Sequence, residues 1–199
     1  SQIFAFTAAP VTVFLSGIIG SQFSPVKSLA TLPMALSIVG IAIFAIFAAK
    51  VMSIIGRRAG FILASVVSSL SSLLAVYSIV NESFILFNFS CFLLGAGGAF
   101  SHQYRFAAVE TVKKDMAPKA ISIILLAGIG SAFIGPNVAN ITKDIIAEHL
   151  YAGSYIALAT LTLTSTIFLL FYEDGHKPNR DNKKVKRSYL ELISQPRFL

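Results

Sequence analysis

Charge is missing from six long stretches of this chain. Counting Asp, Glu, Lys, Arg and His as breaks, the uninterrupted runs are 1–26, 28–49, 59–81, 83–101, 120–142 and 150–172. The fourth stays apolar past His102 and meets its first full charge only at Arg105. A helix needs roughly 20 mostly apolar residues to cross a hydrocarbon core of about 30 Å. Membrane barrels require strands that alternate apolar and polar positions, whereas these runs are continuous. The pattern predicts an all-α membrane protein of six transmembrane helices, at roughly 3–23, 29–52, 59–80, 84–112, 119–142 and 150–172. Residues 173–199 form a basic tail.

Little sequence remains for a soluble core. Only 13% of residues are charged and 55% are hydrophobic, against about 25% charge in ordinary globular domains. The single cysteine, Cys91, lies inside a hydrophobic run. It excludes an intrachain disulfide framework and reads as a small core residue. The opening residues carry no basic segment and no small-residue cleavage site, so no signal peptide is expected. A start at Ser1 rather than Met points to a trimmed N-terminus.

The net charge of +7 would suggest nucleic acid in a soluble protein, but its placement explains it better. With the N-terminus inside, thirteen of the sixteen Lys and Arg fall on the cytoplasmic side: Lys50, Arg57, Arg58, Lys113, Lys114, Lys119 and seven in the tail. Lys27 and Lys143 fall outside, and Arg105 lies within the fourth helix. This bias follows the positive-inside rule and puts both termini in the cytoplasm. Short connections around Ser24–Ser28, Ser53–Arg58, Asn81–Ser83 and Lys113–Lys119 make sequential helices antiparallel neighbours. Ser65, Ser68, Ser69 and Ser72 share one face of the third helix. They read as a close-packing seam of small residues, with a polar substrate lining as the other reading. In the tail, Tyr189–Ile193 could lie as a short amphipathic turn on the membrane. Its basic residues serve to set topology or to attract anionic lipid.

Three local patterns carry a resemblance. Between helices two and three the chain reads Ala49-Lys50-Val51-Met52-Ser53-Ile54-Ile55-Gly56-Arg57-Arg58. This resembles the G-x-x-x-D-R-x-G-R-R signature of the major facilitator superfamily, with Gly56, Arg57 and Arg58 matching. Ser53 stands at the Asp position, so the lock that the Asp supplies on the cytoplasmic side has to be rebuilt. Glu110 is the candidate partner for Arg57 or Arg58. In helix four, Phe92-Leu93-Leu94-Gly95-Ala96-Gly97-Gly98-Ala99 is similar to the family's R-F-L-L-G-x-G-x-G, with Cys91 in place of the Arg. In helix five, Ser122, Ser131, Gly135-Pro136 and Ala139-Asn140 keep the spacing of the antiporter motif G-x8-G-x3-G-P-x2-G-G, with Gly135 and Pro136 identical. Pro136 removes a backbone hydrogen bond and can kink the helix, as a pivot or as static packing. The resemblance implies the N-terminal six-helix half of a twelve-helix transporter, built as a 3+3 inverted repeat. The tail would then join the two halves.

Charge at mid-membrane is costly and marks function by default. Arg105 lies about seven residues before the cytoplasmic turn, or roughly 10 Å deep at 1.5 Å per residue. Its planar guanidinium suits a carboxylate or phosphate. It would hold an anionic substrate group, or it would form a structural ion pair at the cytoplasmic mouth. His102 is three residues away, and an unperturbed imidazole titrates near neutrality. With Glu110 it is the candidate proton carrier, a neutral hydrogen-bonded histidine being the other reading. Gln103, Tyr104 and Asn137 are candidate hydrogen-bonding residues near a cavity. Metal-spaced His/Cys sets, phosphate loops and nucleophile triads are missing, so neither an enzyme nor a cofactor is expected.

The resemblance implies proton-coupled secondary transport of a small solute, export ahead of import, by rocking two bundles around a central site. The partners would be that solute (an anionic one fits Arg105), protons, the bilayer of a bacterial inner membrane, and a C-terminal six-helix half from the same chain or a dimer mate. Nucleic acid is not among them. A non-transporting membrane sensor or partner subunit is the alternative, as is a half-transporter that dimerises.

Overall fold

The computed structural model describes residues 2–171, with only the backbone of Lys114. The tail lies outside these residues, as does the expected surface turn at Tyr189–Ile193. The described chain is almost entirely helical and contains six helical segments long and apolar enough to cross a membrane. The helices are α1 (Gln2–Phe6), α2 (Ala8–Phe23), α3 (Leu32–Ile55), α4 (Arg57–Val80), α5 (Phe84–Ser101), α6 (Tyr104–Thr111), α7 (Ala117–Thr142) and α8 (Ala152–Leu170). The first span is α1 plus α2, and the fourth is α5 plus α6.

Two spans read as single helices, 3–23 and 84–112, are interrupted. The first breaks at Thr7. Pro10 has no N–H to give the Phe6 carbonyl, and its ring crowds that carbonyl. The Thr7 N–H turns back to the carbonyls of Ile3 and Phe4, at 3.2 and 3.3 Å, and its hydroxyl donates to Ile3 at 2.8 Å. The fourth span breaks at His102 and Gln103. There the Gln103 N–H bonds the Phe100 carbonyl in a tight three-residue step of 2.9 Å, and the Gln103 carbonyl then accepts from Phe106 and Ala107.

The basic turn between the second and third spans is shorter than the charges suggest. Ser53–Ile55 belong to α3 and Arg57–Arg58 to α4, which leaves Gly56 alone as the connection. Gly56 has φ 91° and ψ 163°, a region that only glycine enters without strain. Its N–H closes α3 on the Met52 carbonyl at 3.0 Å, and its own carbonyl accepts from Gly60. Gly56→Ala should therefore lower the melting temperature of the purified protein and loosen the placement of Arg57, whose backbone follows directly. An unchanged melting curve would contradict the tight turn.

The most extensive contacts join α3 to α5, α4 to α8 and α4 to α5. Exchanging the first three spans for the last three maps the contact pattern onto itself. Second-against-fourth becomes fifth-against-first, first-against-second becomes fourth-against-fifth, and third-against-sixth is unchanged. One core cluster joins Val11, Leu15 and Ile19 of α2 to Ile79, Phe87, Cys91, Tyr155 and Leu158. The other, nearer the basic turns, holds Ala48, Met52, Phe61, Ala64, Phe100, Tyr104 and Leu169. Ser65, Ser68, Ser69 and Ser72 are all buried between helices, and the Ser69 hydroxyl reaches the Ala159 carbonyl of α8 at 3.2 Å. Their shared face is a packing seam.

Candidate functional site

The polar groups of this bundle meet at its basic end. Arg57, at the first position of α4, reaches across to the last turn of α6. Its Nε donates to Glu110 Oε2 at 3.1 Å and its Nη2 to Glu110 Oε1 at 2.7 Å. Two parallel bonds of this kind are the strong geometry of an arginine–carboxylate pair. Nη1 turns to Gln103 Oε1 at 3.4 Å and to the Met52 sulfur at 3.9 Å. Arg57 thus ties the end of α3, the start of α4, the break in the fourth span and the end of α6 into one cluster. A carboxylate near a helix C-terminus opposes the helix dipole, and the guanidinium offsets that cost for Glu110. This is the ion pair found between described residues.

The neighbouring Arg58 has a different task. Its Nη2 donates to the Leu170 carbonyl at the end of α8, where the last carbonyls of a helix have no partner of their own. Of the two adjacent arginines, one clamps α6 and the other caps α8. Gly56 sets the direction of both.

His102 and Arg105 lie at and just after the break in the fourth span, and both side chains are exposed on the isolated bundle. Neither has a hydrogen-bond or ion-pair partner among the described residues. The break in the hydrogen-bond ladder falls at His102 and Gln103, within the one membrane-length segment Phe84–Thr111 that also carries Phe106 and Glu110. Gln103 joins the Arg57 cluster. Tyr104 points into the core: its ring stacks on Phe61 at 4.0 Å and 6° and meets Phe6 edge-on.

Asn137 is exposed on α7 and folds back on its own helix, donating to the Phe133 carbonyl at 2.7 Å. It takes no part in the Arg57 cluster. Gly135 lies against the first span, where an added Cβ would stand 3.1 Å from Pro10 Cβ and 3.4 Å from Val11 Cγ2. α7 runs through Pro136 without interruption. The two prolines, Pro10 and Pro136, therefore stand at the same crossing of the first and fifth spans.

Sequence reasoning did not single out two features of this region. A groove of about 310 Å³ runs between α3, α4 and α5, lined by apolar side chains that include Phe44, Phe47, Leu63, Val67 and Phe100. It offers no polar group to orient a solute. A much smaller cavity, about 10 Å³, borders Ser65, Ser68, Ser101 and Tyr104. The serine periodicity was visible in the sequence, but the partners of that face were not.

The sequence profile of the Major Facilitator Superfamily matches residues 1–199. The chain is 29% identical to the riboflavin transporter RfnT of Brucella anthropi over 202 residues, which is 100% of this chain and 50% of that protein. It is 27% identical to the uncharacterized MFS-type transporter YdeG of Bacillus subtilis, over 85% of this chain and 40% of the relative. With YddS of the same organism, another uncharacterized MFS-type transporter, the identity is 25% over 86% of this chain and 40% of the relative. The chain spans half or less of the length of these curated relatives. No solved structure matches it.

Proposed function

The chain belongs to the Major Facilitator Superfamily, and from that premise we propose that it is the N-terminal six-helix half of a secondary active transporter for a small polar solute. The observation that carries this reading is the two-bonded Arg57–Glu110 pair. It ties the turn bearing the family signature to the fourth span, at the place where Ser53 leaves the signature without its acid. A contact between helix ends at the mouth of the bundle, partly open to water, can break and re-form as the bundle rocks against a second one. That second bundle, the C-terminal half, comes from the same chain or from a dimer mate. The host membrane is a bacterial cell membrane, with this end of the bundle in the cytoplasm.

For the solute we take riboflavin as the first substrate to test, since the relative that aligns over this whole chain is a riboflavin transporter. Arg105 supplies a cationic donor with an exposed side chain and no hydrogen-bond or ion-pair partner among the described residues. A guanidinium bonded to a substrate oxygen makes one of the stronger hydrogen bonds a protein can offer. Export is the inferred direction, because Gly135-Pro136 lie at the antiporter-motif position and pack against the first span. Coupling to protons would run through His102 and Glu110. The double variant His102→Ala, Glu110→Gln should lose the pH-gradient dependence of transport. If the gradient dependence persists, coupling resides elsewhere.

The test uses the intact transporter in proteoliposomes with an imposed pH gradient and labelled riboflavin. Gradient-driven movement of riboflavin supports both the function and the substrate; movement of another solute only would retain the function and replace the substrate. Ligand binding without movement would favour a membrane sensor. Arg105→Gln should cut the transport rate by about 10- to 100-fold, the weight of one hydrogen bond to a charged group at roughly 1.5–3 kcal/mol. Protein yield should not change, because the Arg105 side chain is exposed and packs no core. Unaltered transport by that variant would remove Arg105 from the site.

A further inference from the structure

The small cavity at the junction of α1, α4, α5 and α8 has the size and chemistry of a single-water site. Its volume is about 10 Å³, and roughly 10–15 Å³ of such space is what one buried water requires, together with two to four polar partners. Ser65 and Ser68 of α4 and Ser101 at the end of α5 border it. Their relative exposures are 5%, 6% and 8%, so all three are more than nine-tenths buried. None of their hydroxyls has a hydrogen-bond partner among the described residues. Each hydroxyl demands a hydrogen-bond partner, and three around one small space offer a single water the two to four partners it needs. The neighbouring serines of the same helix meet that demand within the protein. Ser72 donates to the Ser68 carbonyl at 2.8 Å, Ser71 to Val67 at 2.7 Å and Ser69 to Ala159 at 3.2 Å.

We propose that this cavity binds one water molecule, which bridges the Ser65 and Ser68 hydroxyls of α4 to Ser101 and so ties α4 to the residue at which α5 stops. Ser101 immediately precedes the His102–Gln103 break. The water therefore acts at the joint of the fourth span, where Ser101 and Tyr104 border the cavity from either side of the break. A metal ion is disfavoured by the donor set, which offers three neutral hydroxyls and no carboxylate to offset the charge.

Radiolytic hydroxyl labelling of the intact protein in nanodiscs tests this. Radicals form on bound water and attack the side chains beside it. Phe61 borders the cavity, yet it is only 1% exposed, much like Phe87 and Tyr155 at 0%. Phe61 should be modified several times faster than Phe87 and Tyr155. Ser65→Val, which fills the space with methyl groups, should bring Phe61 down to the Phe87 rate; Ser101→Val serves if that variant does not fold. Labelling of Phe61 as slow as that of Phe87 in the native protein overturns the proposal. So does fast labelling that survives the filling substitution, since the water would then lie elsewhere.

Discussion

Gly95→Val is expected to abolish the accumulation of folded protein, while Gly98→Ala, three residues further on, is expected to leave it intact. The contrast follows from what each new Cβ would meet. At Gly95 it would fall on the Ser37 carbonyl oxygen, with the Ser37 carbonyl carbon at 2.8 Å and the Ile41 nitrogen at 3.1 Å. The reciprocal site is Gly40, whose Cβ would fall on the Phe92 carbonyl oxygen, with Phe92 C and Ala96 N at 3.2 Å. All of these are backbone atoms, so no side chain can rotate out of the way. The second and fourth spans would have to separate, although α3 against α5 is the largest contact in the bundle. Membrane helices have little hydrophobic force holding them together and depend on such close packing. Overpacking with a backbone shift costs typically about 1–3 kcal/mol, and two blocked backbones place Gly95→Val at or beyond the upper end. At Gly98 the nearest atom would be Ile41 Cγ1 at 3.5 Å, an ordinary contact. Gly128 and Gly130 have nothing within 4 Å, and their alanine variants serve as further controls. Yield after size-exclusion chromatography and the melting temperature in detergent measure the effect. A Gly95→Val protein that purifies and melts like the native one would refute the crossing.

That crossing also marks how far the sequence could be read. Six charge-free runs of membrane length are enough to define six spans, because hydropathy depends on apolar length and little else. The breaks at Thr7 and His102–Gln103 escaped that reading for the same reason. An apolar run stays apolar whether or not its hydrogen-bond ladder continues. Pro10 was the available signal for the first break; the second coincides with Tyr104 stacking on Phe61, a partner 43 residues away by their numbering. Small residues in the fourth span were legible as a motif, but not their division of labour. Gly95 admits α3, Gly97 admits Ser68 of α4, and Gly98 faces only Ile41. The basic turn showed where two arginines sit. Only the positive φ of Gly56 and the packing around it decide that Arg57 goes to Glu110 and Arg58 to Leu170. Arg105 and Asn137 are exposed on this bundle, and the function proposed for this chain would set them toward the second bundle.

Loss of the Glu110 carboxylate is expected to harm transport far more than folding. The pair is only partly shielded: the Arg57 side chain is 24% exposed and that of Glu110 is 55% exposed. Exposed pairs of this kind contribute about 0.2–1 kcal/mol to stability, so Glu110→Gln should shift the melting temperature by only a few degrees. Its effect on transport is set by something else, the relative stability of the conformations in which the pair is closed and open. A ligand or contact that exists in one state alone shifts that equilibrium by its full interaction energy. On the proposed gating role, Glu110→Gln and Arg57→Gln should each slow transport by up to about fivefold, the rate equivalent of at most about 1 kcal/mol. The exchanged pair Arg57→Glu, Glu110→Arg should recover much of the rate, since the two parallel bonds can re-form in the opposite sense. Gln103 can follow the exchange, because its carboxamide can turn its NH₂ toward a carboxylate where it now turns its oxygen toward a guanidinium. A double-mutant cycle on transport rate then isolates the pair from each residue's other contacts. A recovered rate in the exchanged protein requires the charge pair itself. If the exchange stays as slow as the single variants, Arg57 acts through Met52 and the turn rather than through Glu110. If the single variants run at the native rate, the pair is only a surface contact and the gate lies elsewhere. Raising the salt concentration adds an independent reading. A half-exposed pair is screened at about 10 Å in 0.1 M salt and about 3 Å in 1 M salt, so high salt should move the native protein toward the Glu110→Gln rate and leave that variant unchanged.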